Sequence, residues 1–169
     1  MASRVEAAAA RTPAARAAAI MEAVSKRAYP LSDYAARRPD APEWFSRAIA
    51  RRPRRRLIEV DGANIELLTW GRAKAPGLLF LHGSGSHAGW WSFIAPFFVG
   101  DYRCAAISWS GMGGSGHRPA YSAEQYAREV SAAIDVADFA PGDRGVVVVA
   151  HSFGGYPAII AANNNPRIG

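Results

Sequence analysis

The chain has 169 residues, half of them apolar and a fifth charged, with a formal net charge of +6 and a single cysteine. That composition fits one globular core, and no apolar run approaches the roughly 18 residues of a membrane-spanning helix. Cys104 has no spaced Cys or His companions and no signal-peptide pattern follows Met1, so a cytoplasmic protein without a metal site, its one thiol packed as a small hydrophobe, is expected.

Residues 1–56 hold 13 Lys and Arg against 5 Asp and Glu, a net +8, whereas residues 57–169 hold 7 against 9, a net −2. The basicity therefore belongs to the N-terminal extension. Residues 1–28, rich in Ala and Arg, suit a helix with little to bury, and Glu6 and Glu22 count against a transit peptide. Pro30, Pro39, Pro42 and Pro53 punctuate a linker around one short helix, Pro42 to Ala50, whose Trp44, Phe45 and Ile49 could dock on the main domain. Arg51, Arg52, Arg54, Arg55 and Arg56 have no interleaved aromatics and are read as solvated linker, not as a nucleic-acid surface. The domain boundary is set near Arg56, giving an extension over 1–56 and a main domain over 57–169.

Beyond it, Leu57 to Val60 and Ile65 to Trp70 read as strands joined at Asp61-Gly62, a strong hairpin signal. Leu78 to Leu81, Cys104 to Ser108 and Val146 to Ala150 are unbroken apolar runs, as in strands buried on both faces of a parallel sheet. Ser122, with Gln125 at capping-box distance, starts a helix on which Tyr126, Val130 and Ile134 form a buried stripe. A hairpin followed by alternating strands and helices predicts an α/β fold with a mostly parallel sheet and flanking helices.

The most informative stretch is Gly145 to Gly155, GVVVVAHSFGG. It is a strand, a tight turn and a helix start, with small residues Ala150 and Gly154 two positions either side of Ser152. In so sharp a turn the central side chain projects clear of the sheet, and the following helix aims its N–H groups at the place where an oxyanion would form.

Ala150-His151-Ser152-Phe153-Gly154-Gly155 resembles the nucleophile elbow of the α/β-hydrolase superfamily. Leu78 to Gly85, LLFLHGSG, resembles that family's third strand and His-Gly oxyanion turn, and Gly111-Met112-Gly113-Gly114-Ser115 its glycine-rich loop after the fourth strand. The resemblance covers roughly residues 57–169. It implies Ser152 as nucleophile, an oxyanion hole made by the backbone N–H groups of Ser84 and Phe153, His82 orienting the turn, and Trp90 and Trp91 opening the first helix near the pocket, at least one of them a plain core residue. No metal or organic cofactor is implied. His151 points away from the attack direction and His87 and His117 sit in loops, so none of them is taken as the base. Serine at the elbow separates the chain from the superfamily's epoxide hydrolases and haloalkane dehalogenases, which use Asp there. Where the family has an Asp that braces the glycine loop, this chain has Ser108, which bears on local rigidity more than on chemistry.

Gly111 to Gly116 also satisfies a G-x-G-x-x-G pattern, but Pro119 intervenes and the next helix starts only near Ser122, which argues against dinucleotide binding. In the family an acid and then a His follow the nucleophile, yet after Ser152 there is no Asp, Glu or His, and Arg167-Ile168-Gly169 resembles the lead-in to a sixth strand. The expectation is therefore the N-terminal part of an ester, amide or thioester hydrolase acting on a small molecule, ending after the nucleophile helix. Two alternatives are a serine-elbow enzyme acting on carbon–carbon bonds or peroxide, and a non-catalytic binding scaffold.

Overall fold

The computed structural model describes residues 40–141 and 145–169; the helix expected over residues 1–28 lies outside the described residues. One compact unit spans Ala41–Gly169. It opens with α1 (Glu43–Ala50), which buries Ala48 and sets Trp44 against Phe97, ring centroids 6.1 Å apart, and Phe45 against Phe93 at 5.7 Å. Of the three side chains singled out for docking, Phe45 is half-buried, whereas Trp44 and Ile49 both stay exposed and Trp44 touches Phe97 at the surface.

Strands β1 (Arg54–Val60) and β2 (Ala63–Trp70) pair antiparallel through Asp61 and Gly62, at φ 46° and 78°. Two successive left-handed residues make the hairpin turn that an Asp-Gly pair favours, because its twist matches that of the strands. The pairing runs back to Arg54 opposite Thr69, so Arg54, Arg55 and Arg56 belong to a strand and not to a linker. They are accommodated because β1 is an edge strand: Arg55 bonds Glu66 across the hairpin, and Arg56 donates to the Val136 carbonyl beside Asp138.

The five-stranded sheet has the order β1-β2-β4-β3-β5, with β3 (Gly77–Leu81), β4 (Arg103–Ile107) and β5 (Val147–Ala150) mutually parallel. Strand β2 meets β4 antiparallel. Every residue of β3 and β4 is buried, as the apolar runs Leu78–Leu81 and Cys104–Ile107 require, while Arg103 at the start of β4 is buried with its guanidinium on the Ala137 and Gly71 carbonyls. Alternation across the pleat feeds two cores. Leu79, Leu81, Ala105 and Ile107 face the helices α2 (Ala123–Val136) and α3 (Gly155–Asn164), whereas Leu78, Phe80, Cys104 and Ala106 face the 3₁₀ segment Ala88–Phe93 with Trp91 and Ala95. Burial pushes the Cys104 thiol up to about 11, the behaviour of an inert packed thiol.

Strand β5 departs from the expectation of burial on both faces. Val147 and Val149 are exposed and Val148 half-buried, because Val148 packs on the helix-side core whereas the second core does not extend over the other face of β5. On the edge away from β3 a single parallel bridge joins Val146 to Ile168. Among the described residues no helix is long and apolar enough to cross a membrane.

Helix α2 behaves as its sequence dictates: the Ser122 hydroxyl accepts the Gln125 N–H at 3.1 Å, and Tyr126, Val130 and Ile134 are buried. Ser122→Ala should therefore cost about 1 kcal/mol of stability, read as a shift in the urea unfolding midpoint without a change in slope.

Candidate active site

At the end of β5 the chain passes through an extended His151 to Ser152 at φ 50°, makes one 3₁₀ turn over Ser152–Gly154 and enters α3. A left-handed backbone at a non-glycine residue is strained, and here it lifts the serine side chain to the surface at the N-terminal end of a helix. The turn is held from both sides. The His151 N–H donates to the Leu81 carbonyl at 3.0 Å and the Gly154 N–H to the His151 carbonyl at 2.9 Å. Gly154 lies so close to β3 that a Cβ there would come within 2.8 Å of the His82 carbonyl oxygen, which is why the position beyond the serine must be small.

The structure brings the turn after β3 against this elbow. A Cβ on Gly83 would lie 3.3 Å from Ser152 Cβ and 2.8 Å from His151 Nδ1. Ser84 follows in an exposed turn, and its N–H donates to no backbone carbonyl of the described residues. Phe153 is half-buried, its ring edge-on to Trp109 at 6.1 Å and to Tyr126 at 5.3 Å.

His82 is fully buried with both ring nitrogens committed: Nδ1 lies 2.7 Å from the Gly83 carbonyl and Nε2 accepts the Trp109 N–H at 3.2 Å. That pairing requires a neutral ring protonated on Nδ1, and burial agrees by pulling the imidazole below its ordinary value. Trp109 returns its indole N–H to the His82 carbonyl at 2.9 Å. His82 thus clamps the β3 turn to the loop after β4 and has no nitrogen free to act as a base.

Trp90 and Trp91 separate. Trp91 is buried, 5.0 Å from Phe80, while Trp90 is 41% exposed and stands edge-on to His151 at 4.9 Å. They sit on a 3₁₀ segment, not at the start of a longer α-helix.

The Ser108 position has a brace that the sequence pattern did not reveal. The Ser108 hydroxyl donates to Glu66 Oε2 at 2.7 Å, the Gly114 N–H donates to the same oxygen at 3.1 Å, and Arg55 holds Oε1 at 2.6 Å. The partners lie on β1, β2 and a distant loop, and the one local signal is a lone acid inside the apolar run of β2. Burial pushes the Glu66 carboxyl up, but Ser108, Arg55 and the Gly114 N–H together outweigh it and leave the group below its ordinary value of 4.5.

A second missed pair is Glu129 with Arg118, both buried, 3.3 Å apart. Glu129 also accepts the Ser110 N–H at 3.0 Å, and Arg118 reaches the Val60 and Asp61 carbonyls of the hairpin. Burial nonetheless raises the Glu129 carboxyl. Residues 111–116 form a closed loop with Gly111 N–H on the Gly116 carbonyl and no helix opening from it, unlike a dinucleotide-binding turn. Among the described residues no group of three or more His, Cys, Asp or Glu could hold a metal.

A family model described as the alpha/beta hydrolase family matches residues 78–169, more than half of the chain. The chain belongs to the alpha/beta hydrolase family. No curated protein matches it. Among solved structures, it is similar to a thioesterase domain from the curacin biosynthetic pathway, at 26% identity and TM-score 0.61 over 69% of this chain and 42% of that one. It is also similar to a loop variant of haloalkane dehalogenase from Bradyrhizobium elkanii, at 28% identity and TM-score 0.58 over 69% of this chain and 38% of that one. Epoxide hydrolase A from Mycobacterium thermoresistibile shares the fold at 24% identity, TM-score 0.60, over 68% and 36%. The chain thus spans about two fifths of the length of these alpha/beta hydrolase structures.

Gly154→Ala should destabilise the protein by about 1–3 kcal/mol in urea unfolding, since its methyl meets strand backbone that cannot turn aside. Because the folded-state pKa of Glu66 is lowered, the stability this carboxylate contributes is present above pH 4.5 and is lost as the pH falls through its folded value. Glu66→Gln should accordingly flatten the acid side of the stability–pH curve and leave its slope near pH 8 unchanged.

Proposed function

We propose that Ser152 is the nucleophile of a hydrolase acting on ester or thioester bonds of a small molecule. The observation that carries this reading is the left-handed backbone of Ser152 at a strand–turn–helix junction, with the Gly83-Ser84 turn packed against it. The Ser152 oxygen would attack the acyl carbon while the carbonyl oxygen, gaining negative charge, receives the N–H groups of Ser84 and Phe153. Collapse of that adduct expels the alcohol or thiol with a proton, and water then releases the acid from the acyl-serine. Trp90, exposed beside His151, would form one wall of the acyl pocket.

The similarity to a thioesterase domain favours acyl transfer, and serine at the elbow favours it over epoxide opening or carbon–halogen cleavage. The reaction also needs a proton acceptor. No Asp, Glu or His stands after Ser152, so the roles assigned within these 169 residues are those of the nucleophile and the oxyanion donors.

A fluorophosphonate probe tests the assignment. The expected outcome is slow covalent labelling that maps to Ser152 by peptide mass spectrometry and disappears in Ser152→Ala. Labelling that persists in Ser152→Ala would remove Ser152 from the mechanism, and rapid stoichiometric labelling would show that an upstream histidine supplies the base.

A further inference from the structure

Glu66 does more than neutralise Arg55. It interrupts the apolar run Ile65, Leu67, Leu68 of β2, and its side chain is only 12% exposed. Ser108, fully buried, has a single hydroxyl proton and gives it to Glu66 Oε2, which leaves the Ser108 oxygen aimed to accept the Ala88 N–H at 2.9 Å. Ala88 is the first residue of the 3₁₀ segment that comes after the Gly83–His87 turn. Ser115 closes the network: its hydroxyl donates to the Ser108 carbonyl at 2.6 Å and accepts the Glu66 N–H at 2.8 Å. Gly113 leaves no room for a side chain here, since a Cβ would come within 2.5 Å of Ser108 Oγ.

We propose that Glu66 is a positioning residue: its carboxylate orients the Ser108 hydroxyl, Ser108 holds the Ala88 N–H, and Ala88 fixes the far end of the turn that carries Ser84. The consequence for chemistry rests on the roles proposed for Ser84 and Ser152. The chain of bonds itself does not. A hydroxyl without its acceptor can rotate and turn its own proton toward Ala88, so the carboxylate is what makes Ser108 a reliable acceptor at that amide.

Amide hydrogen exchange followed by NMR on the full chain decides the matter. Glu66→Ala and Ser108→Ala should each speed exchange at Ala88 about tenfold, the loss expected for one buried hydrogen bond, and the double variant should be no faster than either alone. Glu66→Gln, which keeps an oxygen for the Ser108 hydroxyl, should retain the slow exchange. Ser108→Asp should restore it in the Glu66→Ala background by placing a carboxylate directly at Ala88. Unchanged Ala88 exchange in Glu66→Ala, or additive effects in the double variant, would overturn the proposal. If Glu66→Ala does not fold, Ser108→Ala carries the test: Ala88 must lose protection while Gly114, held by Glu66 directly, keeps it. Fluorophosphonate labelling of Ser152 should slow in step with the Ala88 change. Labelling that is absent already in the wild type would sink the serine reading alone, and Ala88 exchange would still decide the brace.

Discussion

A serine held at φ 50° lies uphill by about 1–3 kcal/mol, and such a conformation persists only where the surroundings over-determine it. Much of this structure can be understood as that over-determination. The Leu81 carbonyl fixes His151 on one side, α3 begins three residues later on the other, and Gly154 sits against the backbone of Leu81 and His82. Phe153 is gripped edge-on by Trp109 and Tyr126, one from the end of β4 and one from α2. The elbow is therefore tied to three elements that are far apart in the chain, and the larger of the two cores forms around that junction.

Charge plays a different part from apolar packing. Removing Glu129 and Arg118 from water costs several kcal/mol per ion unless their bonding is nearly complete, so the pair is weak as a source of stability. What it does is specify: Arg118 spans from α2 to the tip of the β1–β2 hairpin, and Glu129 fixes the backbone at Ser110. Glu66 acts likewise from β2, through Ser108 and the Gly114 N–H. Together the two carboxylates fasten the loop over residues 108–118, which has no regular secondary structure of its own.

What the sequence disclosed was what local chemistry controls. Asp61-Gly62 announces its turn, Ser122 its cap, and the periodicity of Tyr126, Val130 and Ile134 its buried face. The elbow was legible for the same reason, since a strand, a serine flanked by small residues and a helix are adjacent in the chain. Residues whose roles depend on remote partners were not. Nothing near Glu66 points to Ser108, nothing near Arg118 points to Glu129, and the arginines of β1 look like linker until the hairpin register places them opposite Leu67, Leu68 and Thr69. The exposure of Val147 and Val149 was hidden for a related reason: an apolar run records what a strand can bury, and only its neighbours decide whether it does.

The strand order also sets a timetable for synthesis. Strand β3 lies between β4 and β5, yet it leaves the ribosome before either of them, while β5 closes the ladder only after α2 has been made. At roughly 5–20 residues per second, the entirely apolar Leu78–Leu81 stretch waits several seconds for its second partner with one row of peptide groups unpaired. During that interval the stretch presents an unpaired apolar strand edge, the kind of surface that invites pairing with another chain.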